Sequence, residues 1–316
     1  ESALKKNISD INYKRVFNSK EELEKYLHDI YQNIENTRLL TDIEYSYDIA
    51  ETTGDGINLI EAQYTFNDSH SMLIFPKPSL DTNSGIEIKL KLKDNNFLGL
   101  MNDLNVDLNL NFGDDDEPDN YSKVTTGFAF SYDYPFDIGI TENTWSNSFD
   151  FNWTIGDNAP EYDYTTGIAV IVPIGQHKIK FEFSQSIIKN LDYEKYDDAL
   201  YFVEDATISL PFSIGYIGNT TEVTYTPSIN FTHNWDRNGI NKNNDDLYQT
   251  PMLKPGQTIS FSNINWVGVN NFRTGYSFSA SQYMGWDITA DTIDEKVVPS
   301  VEANLKLFKS FKYVGF

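Results

Sequence analysis

Four histidines and several groups of carboxylates are the side chains of this 316-residue chain that could do chemistry, since it contains no cysteine. The missing thiol rules out disulfides, thiolate nucleophiles and cysteine-based metal sites. No glycine-rich loop joins a strand to a helix, as phosphate binding would require. The histidines are scattered and lack the spacing of metal ligands: His28, His70, His177 and His233. These residue types predict a protein that is not an enzyme and holds no cofactor.

Two groups of oxygen-bearing side chains could still suggest a metal site or an acid–base pair. The first could offer oxygens to calcium, but it lacks the spacing and closing glutamate of an EF-hand, which favours a solvated loop: Asp236, Asn238, Asn241, Asn243, Asp245 and Asp246. The second group is Glu87, Asp107 and Asp150, which alternate with apolar residues. A polar interior needs such carboxylates without any catalysis. We therefore expect neither a metal ligand nor a catalytic residue.

The elements that position these side chains alternate apolar and polar residues with a period of two. Residues 86–93, 104–112 and 149–155 show the alternation almost without error. A period of two indicates a β-strand with one apolar and one polar face. About a dozen such stretches, rich in aromatic residues, predict a transmembrane antiparallel β-barrel with lipid outside and a polar lumen. A soluble β-sandwich or β-solenoid is the alternative.

Composition is consistent with a barrel. Aromatic residues make up 15% of the chain, with 20 Tyr and 21 Phe, and such residues form the girdles at both membrane interfaces. No apolar run approaches the roughly 18 residues of a transmembrane helix. The net charge of −23 argues against nucleic acid as a partner, because phosphate binding needs a basic surface.

The predicted strands are joined by connections of alternating length. Strands are predicted at 69–76, 85–93, 104–112, 123–134, 146–155, 162–173, 177–188, 203–216, 222–235, 257–268, 272–284 and 297–308. Mostly long, polar connections occupy 113–122, 156–161, 189–202, 236–256 and 285–296. Mostly short ones occupy 94–103, 174–176, 217–221 and 269–271, and 135–145 is a moderate exception. Outer-membrane barrels have long outside loops and short periplasmic turns, so this parity favours a barrel over a sandwich.

Residues 1–67 predict a different kind of structure. Ser19 and Glu22 have the spacing of a capping box at the start of a helix. The residues behind them place one apolar face on that helix: Leu23, Tyr26, Leu27, Ile30, Tyr31 and Ile34.

A strand near 8–16 precedes the predicted helix, and two strands near 42–49 and 58–66 follow it. This order predicts a small α+β module in which the helix covers one face of the sheet. The barrel would then occupy residues 68–316.

Four segments carry a resemblance to a known family. Segments 17–23 (Phe-Asn-Ser-Lys-Glu-Glu-Leu) and 34–40 (Ile-Glu-Asn-Thr-Arg-Leu-Leu) resemble a polypeptide-transport-associated (POTRA) domain. Segments 78–85 (Pro-Ser-Leu-Asp-Thr-Asn-Ser-Gly) and 93–99 (Lys-Asp-Asn-Asn-Phe-Leu-Gly) resemble the start of a BamA/TamA-type outer-membrane assembly barrel. At motif level the resemblance covers roughly residues 10–112.

The resemblance implies a sixteen-stranded barrel, of which this chain would hold twelve or thirteen strands. We therefore expect a barrel truncated at its C-terminus. Because the chain starts at Glu1 and has no signal peptide, we also expect a piece of a longer precursor.

In one respect the chain departs from the family. Members of that family usually carry a Val-Arg-Gly-Phe/Tyr motif in the extracellular loop after the eleventh strand, whereas the corresponding loop here, about 285–296, has no arginine.

The function that the resemblance implies is assembly and insertion of other outer-membrane proteins. The protein would lie in the outer membrane of a Gram-negative-type envelope, with its POTRA-like module in the periplasm. Its partners would be unfolded outer-membrane protein clients, accessory periplasmic proteins or lipoproteins, and outer-membrane lipid. The alternatives are a passive outer-membrane channel and a two-partner secretion pore.

Edge chemistry suggests where such a function would reside. In a barrel the first and last strands must pair to satisfy their backbone groups. The expected gate strand contains Met72, Leu73, Ile74 and Phe75, followed by prolines that lack donors and so suit an edge. A weak seam could open laterally and offer free amides to an incoming strand. The edge that would contact a client or partner stays unassigned.

Overall fold

The computed structural model describes one helix and the strands that follow it. The described residues are 16–54, 57–68, 72–81, 85–113, 123–157, 159–175, 177–191, 200–218, 221–235, 251–267, 272–288, 297–311 and 314–315. The strand predicted near 8–16 lies outside them, apart from Val16. In this part of the chain, no helix is both long and apolar enough to cross a membrane.

Helix α1, Lys20–Asn36, begins at the predicted cap. The Oγ atom of Ser19 accepts a hydrogen bond from the N–H of Glu22 at 3.2 Å. The Glu22 carboxylate accepts in return from the N–H of Asn18 at 3.0 Å, one residue earlier than in a standard capping box. The predicted apolar face is confirmed, because the residues that the helix buries are Leu23, Leu27, Ile30 and Ile34.

An antiparallel hairpin of β1, Leu40–Thr52, and β2, Asn58–Asp68, packs against α1. The hydroxyl of Tyr64 donates to the carbonyl oxygen of Leu27 at 2.8 Å. The Tyr64 ring also stacks on the ring of Tyr45, with 5.5 Å between centroids, and burial raises the pKa of Tyr64. Both strands extend beyond the predicted ranges, and the hairpin is a sheet of its own.

The rest of the described chain is dominated by one antiparallel sheet of 13 strands. Its strands are β3 Met72–Asp81, β4 Gly85–Asp94, β5 Leu104–Phe112, β6 Val124–Ile138, β7 Thr141–Thr154, β8 Glu161–Ile174, β9 His177–Lys189, β10 Leu200–Ser209, β11 Phe212–Ile217, β12 Thr221–Trp235, β13 Met252–Val267, β14 Phe272–Asp287 and β15 Val297–Phe308. A separate short pair, β16 Ser310–Phe311 and β17 Val314–Gly315, follows. Each of the twelve stretches predicted as a strand of the sheet contains strand, and one of them contains two.

Two predicted details of the sheet are wrong. The strand predicted over 203–216 breaks between β10 and β11, where Pro211 has no N–H for a ladder. As a result β10 pairs with both β9 and β12, whereas β11 pairs with β12 alone among the described residues. The moderate connection predicted at 135–145 is a turn of residues 139–140, because β6 and β7 are longer than predicted. The parity of long and short connections therefore has no exception at this point.

The described chain is mostly β-strand and its large sheet is antiparallel, as predicted. The sheet does not close into a barrel, however. Within the described part of the chain, β3 pairs with β4 alone and β15 pairs with β14 alone. The predicted closed barrel is thus corrected to an open sheet. The alternation specifies the two faces of each strand, but it does not specify a partner for the first and last strands.

Cross-strand pairing extends the alternation over the whole sheet. Leu90 pairs with Leu108 and Leu108 with Phe128, whereas Lys89 pairs with Asn109. One face is therefore mostly apolar and the other mostly polar. We call them the apolar face and the polar face.

The polar face is concave, because its side chains reach across an intervening strand. The Nδ2 of Asn109 donates to the Oδ1 of Asn152 at 3.4 Å, over β6. The Nζ of Lys178 donates to the carboxylate of Glu142 at 3.2 Å, over β8. Both bonds place the inner side of the curl on this face, although the Thr221 and Tyr276 hydroxyls also meet over β13, at 3.3 Å, at one end of the apolar face.

Hydrogen-bonded polar groups interrupt the apolar face on β7 and β8, and others lie on it at Gln185 and Glu204 and at Tyr225, Gln257 and Gln282. The Oδ1 of Asn147 accepts hydrogen bonds from the Thr166 hydroxyl at 3.1 Å and from the Tyr164 hydroxyl at 3.2 Å. The indole N–H of Trp145 donates to the Thr166 hydroxyl at 3.0 Å. These bonds partly offset the cost of placing polar groups in apolar surroundings.

Candidate functional site: the two open edges of the sheet

The free edge of β3 is short of hydrogen-bond donors. Its ladder with β4 is unbroken from Met72↔Asp94 to Asp81↔Gly85. Such a ladder needs an N–H on every residue that faces β4, so the nitrogens of Pro76 and Pro78 must face the free edge. The residues of this parity are Met72, Ile74, Pro76, Pro78 and Leu80.

The sequence-predicted gate residues all lie on β3, but the strand bounds differ from the prediction. β3 runs from Met72 to Asp81 rather than over 69–76, because the prolines lie inside the strand instead of ending it. Ile74 is 60% exposed on the apolar face, and Met72 lies on the same face. Leu73 and Phe75 alternate with them and lie on the polar face.

The free edge of β15 has the same design. Its ladder with β14 is unbroken through the pair Met284↔Pro299, so the Pro299 nitrogen also faces away from the sheet. Edge-facing residues of β15 again lie on the apolar face, where Val301 is 78% and Leu307 is 68% exposed. Each edge of the sheet thus combines apolar side chains with a row of backbone groups that proline interrupts.

The segment 93–99 forms most of the turn between β4 and β5, at the short-connection end of the sheet, and side-chain contacts hold this turn in place. The N–H of Asn96 donates to the Asp94 carboxylate, and the N–H of Met101 donates to the Asn96 side-chain oxygen, each at 3.0 Å. The ring of Phe97 packs edge-on against Tyr132, with 5.1 Å between centroids. These contacts fix the turn next to the β3 edge.

Gly85 ends the other segment of the resemblance. It has a φ of +85°, and a Cβ there would lie 2.3 Å from the carbonyl oxygen of Phe112. Both the left-handed backbone and the close approach of β5 require glycine. Residues 82–84 of this segment lie outside the described residues.

Helix α1 is attached to the sheet at the short-connection end of β13. The N–H of Trp266 donates to the Asn36 Oδ1 at 3.0 Å, and the Gln32 Nε2 donates to the Trp266 carbonyl oxygen at 3.0 Å. The Asn36 Nδ2 also donates to the Asn265 Oδ1 at 3.3 Å. Two side chains of the helix therefore satisfy both backbone groups of one sheet residue.

A stack of cations and rings continues this attachment to the last strand. The Arg38 guanidinium lies 4.1 Å from the Trp266 ring centroid, and the Arg273 guanidinium lies 5.4 Å from the same centroid. Arg273 also lies 4.1 Å from the ring centroid of Phe308, the last residue of β15. Cation–π contacts of this kind contribute about 0.5–2 kcal/mol each. We call Asn36, Arg38, Trp266, Arg273 and Phe308 the clasp.

The clasp also brings the β4–β5 turn close to β13. Burial lowers the pKa of Arg38, the Asp103 carboxylate opposes that shift, and Arg273 adds to it. Asp103 closes the β4–β5 turn and forms an ion pair with Lys93 at 2.5 Å. Since β4 and β13 are far apart in the sheet order, the sheet must curl to bring these groups together.

The polar candidates from the sequence form no catalytic or metal constellation in the described residues. Glu87 is paired with Lys89 at 2.9 Å, Asp107 with Lys91 at 2.7 Å, and Asp150 accepts from Asn152. The described residues contain no group of three or more potential metal ligands. Segment 236–246 and His70 lie outside them.

The described histidines are dispersed among unrelated elements. His28 stacks on Tyr31 of α1, with 5.7 Å between ring centroids. His177 begins β9, and the Nδ1 of His233 lies 4.0 Å from the carboxylate of Glu204. The sequence places them apart, and the structure does not bring them together.

Sequence reasoning missed the clasp. The module residues Asn36 and Arg38 lie more than 200 positions before Trp266, so no local spacing could reveal the contact. One signal was available: the chain has only four arginines, and two of them contact Trp266.

The fold and the edges define a curled antiparallel β-sheet protein with an apolar convex face and two open edges. No protein-family model matches the sequence, and no curated protein matches it. Among solved structures, the chain is similar to CdiB from Acinetobacter baumannii, with 10% sequence identity and a TM-score of 0.44. The match covers 84% of this chain and 48% of that one, so the chain spans about half of that structure's length. At this level the likeness assigns neither a function nor a site.

Proposed function

We propose that the protein is an outer-membrane β-barrel that assembles or inserts other outer-membrane proteins through a lateral seam between β3 and β15. One observation carries this proposal. Both terminal strands leave a backbone edge open, and proline removes donors from each edge. The apolar face would contact lipid, and the polar concave face would line the lumen.

The chemistry of the seam is strand addition. An unfolded client strand could pair with the β3 edge, where Met72, Ile74 and Leu80 still offer an N–H. Each backbone hydrogen bond contributes about 0.5–1.5 kcal/mol net. Because two donors are missing, a client strand would be held weakly enough to be released. A fully paired edge would instead trap it.

We call α1, β1 and β2 together the helix–hairpin module. This module would lie in the periplasm as a POTRA-like domain. The clasp attaches it at the short-connection end of the sheet, and short turns face the periplasm in outer-membrane barrels. There the module could receive unfolded clients, accessory periplasmic proteins or lipoproteins. The edges of the two-stranded β1–β2 sheet suit such contacts by strand addition.

A disulfide lock across the seam tests the proposal, because the chain has no competing cysteine. Ile74→Cys and Leu305→Cys place thiols on the apolar face of β3 and β15, near the same end of both strands. The control is Ile74→Cys with Leu92→Cys, which locks β3 to the partner it already has. Client folding is then measured with the full-length protein in lipid vesicles.

We expect the β3–β15 lock to slow client folding at least about tenfold, equivalent to about 1.4 kcal/mol of barrier, and reduction to restore the rate. The β3–β4 lock should leave the rate unchanged. Equal client folding with and without the β3–β15 lock would reject the seam mechanism.

The second candidate is a pore, either a passive channel or a two-partner secretion pore. The polar concave face favours it, since that face suits a water-filled lumen. A passive channel predicts steady, cation-selective conductance in planar bilayers that the β3–β15 lock does not alter. A secretion pore predicts that the lock leaves export of its substrate intact.

A further inference from the structure

The polar face carries a cavity of 530 Å³ bordered by β10 and β12–β15. Its volume falls within the range of about 300–1,000 Å³ that is typical of small-molecule sites. Met252 and Val298, near the starts of β13 and β15, line it, so it lies toward the long-connection end of the sheet. We propose that this cavity binds an oligosaccharide.

An aromatic ring lies against the wall of the cavity. Tyr283 pairs with Gly256 across β13 and β14. A Cβ at position 256 would lie 2.3 Å from the Cδ1 and 2.7 Å from the Cε1 of Tyr283. The ring therefore rests on the glycine backbone instead of standing over a side chain. An aromatic surface held in this way can stack against the C–H face of a pyranose ring.

A hydrogen-bonded network fixes the polar groups beside the ring. The Lys254 ammonium donates to the Thr232 hydroxyl at 3.3 Å, and that hydroxyl donates to the Asp205 carboxylate at 2.8 Å. The Asn230 amide donates to the Thr207 hydroxyl at 2.8 Å and also to Asp205. Groups already held by such a network lose little conformational entropy when a ligand binds.

The lining suits a neutral ligand rich in hydroxyl groups. Lys254 and Asp205 are linked through Thr232, so their charges largely balance. The other polar lining groups are hydroxyls and an amide, which both donate and accept: Thr207, Ser228, Asn230 and Ser300. Sugars present donors and acceptors in the same dense mixture.

An extended polypeptide fits this cavity less well. A peptide gains affinity chiefly by pairing its backbone with a free strand edge. The strands β12, β13 and β14 that form the wall are already paired on both sides. On β15, which also borders the cavity and has a free edge, Pro299 removes the edge-facing donor between the lining residues Val298 and Ser300. The wall therefore offers mainly side chains. The site is independent of the seam proposed above.

Calorimetric titration of the full chain in lipid nanodiscs tests the site. The probes are three neutral oligosaccharides: hexamers of glucose, galactose and N-acetylglucosamine. We expect at least one of them to bind saturably with a Kd of about 1 mM or tighter. Hexaglutamate is the comparison probe, and we expect it to bind more weakly than the best sugar.

Three variants at the ring sharpen the test. Tyr283→Ala should weaken sugar binding about tenfold or more, and Tyr283→Phe should retain most of it because the ring remains. Gly256→Ala should weaken binding to a similar extent, since its Cβ displaces the ring without removing any polar group. Tyr225→Ala, on the apolar face, is the matched control and should leave the Kd unchanged.

Heat-modifiable migration on gels reports whether each variant is folded, and only folded variants are compared. No saturable binding of any of the three sugars would overturn the proposal. An unchanged Kd in folded Tyr283→Ala, or tighter binding of hexaglutamate, would also overturn it.

Discussion

The helix–hairpin module and the large sheet treat their apolar side chains in opposite ways. Among the described residues, the buried apolar side chains of the module are Leu23, Leu27, Ile30, Ile34 and Leu39, whereas the sheet contributes Tyr201 alone. The sheet instead exposes apolar side chains on one face, with Leu80 at 76% and Leu108 at 47% exposed. Soluble proteins rarely expose contiguous apolar patches larger than a few hundred Å². Burial on one side of a helix suits a module that folds in water, and an exposed apolar face suits the lipid contact that we propose for the sheet.

The buried face of α1 gives the first test of this difference between the module and the sheet. Ile34 is 1% exposed, so Ile34→Ala should destabilise the module by about 2–5 kcal/mol through lost burial and a cavity. Hydrogen exchange on the whole chain should show faster exchange in α1 and unchanged exchange in β8 and β9. Lys25→Ala, at an exposed position of the same helix, is the control. An equal loss of protection in the sheet would contradict the separation of the two regions.

The apolar face of the sheet allows the converse test. Leu108→Arg should cost about 2–4 kcal/mol of stability in lipid, because a charge near the bilayer midplane is poorly solvated, and Asn109→Arg should cost little. Urea titration of the protein in lipid vesicles measures both free energies of unfolding. Equal costs at these neighbouring positions would contradict a lipid-facing surface.

The clasp is where the two regions meet. Asn36→Ala removes two hydrogen bonds to β13 and leaves the Trp266 N–H without this acceptor, which should cost about 1–3 kcal/mol. Distance distributions between spin labels on α1 and β13 should broaden. Asn33→Ala is the control, since the Asn33 amide bonds only within the helix, to the Asp29 carbonyl oxygen. Unchanged distances in Asn36→Ala would show that the clasp does not position the module.

The smallest expected effect lies at the cap of α1. Ser19→Ala should lower the stability of the module by about 0.5–2 kcal/mol, and Ser19→Gly by only a few tenths. Hydrogen exchange in the first turn of α1 measures both. A larger loss for glycine than for alanine would contradict a role for the Ser19 side chain in capping.

Much of the fold can be predicted from the sequence because it depends on local periodicity. The alternation in β4 and β5 gives the strands and their faces, and the capping box with the spacing of Leu23, Leu27 and Ile30 gives α1. The ends of the strands are harder to predict from the sequence. Pro76 and Pro78 look like the end of β3, yet an edge strand accommodates prolines when their nitrogens face outward.

The candidate site was predicted only in part. The sequence indicates that β3 is an edge strand, but it gives no information on closure, since alternation says nothing about a partner for β15. The clasp depends on a contact between Asn36 and Trp266, which only the tertiary fold brings together. The cavity at Tyr283 depends in the same way on the register that sets this residue opposite Gly256.

The central claim is that the apolar face lies in lipid while the polar face contacts water. A nitroxide scan along β5, Leu104–Phe112, tests it most directly, because each label can be attached to a single introduced cysteine. In lipid vesicles, we expect collision with oxygen to peak at Leu104, Val106, Leu108, Leu110 and Phe112. Collision with a water-soluble nickel complex should peak at the alternate residues, Asn105, Asp107, Asn109 and Asn111. Equal access of the nickel complex to both sets would contradict the claim.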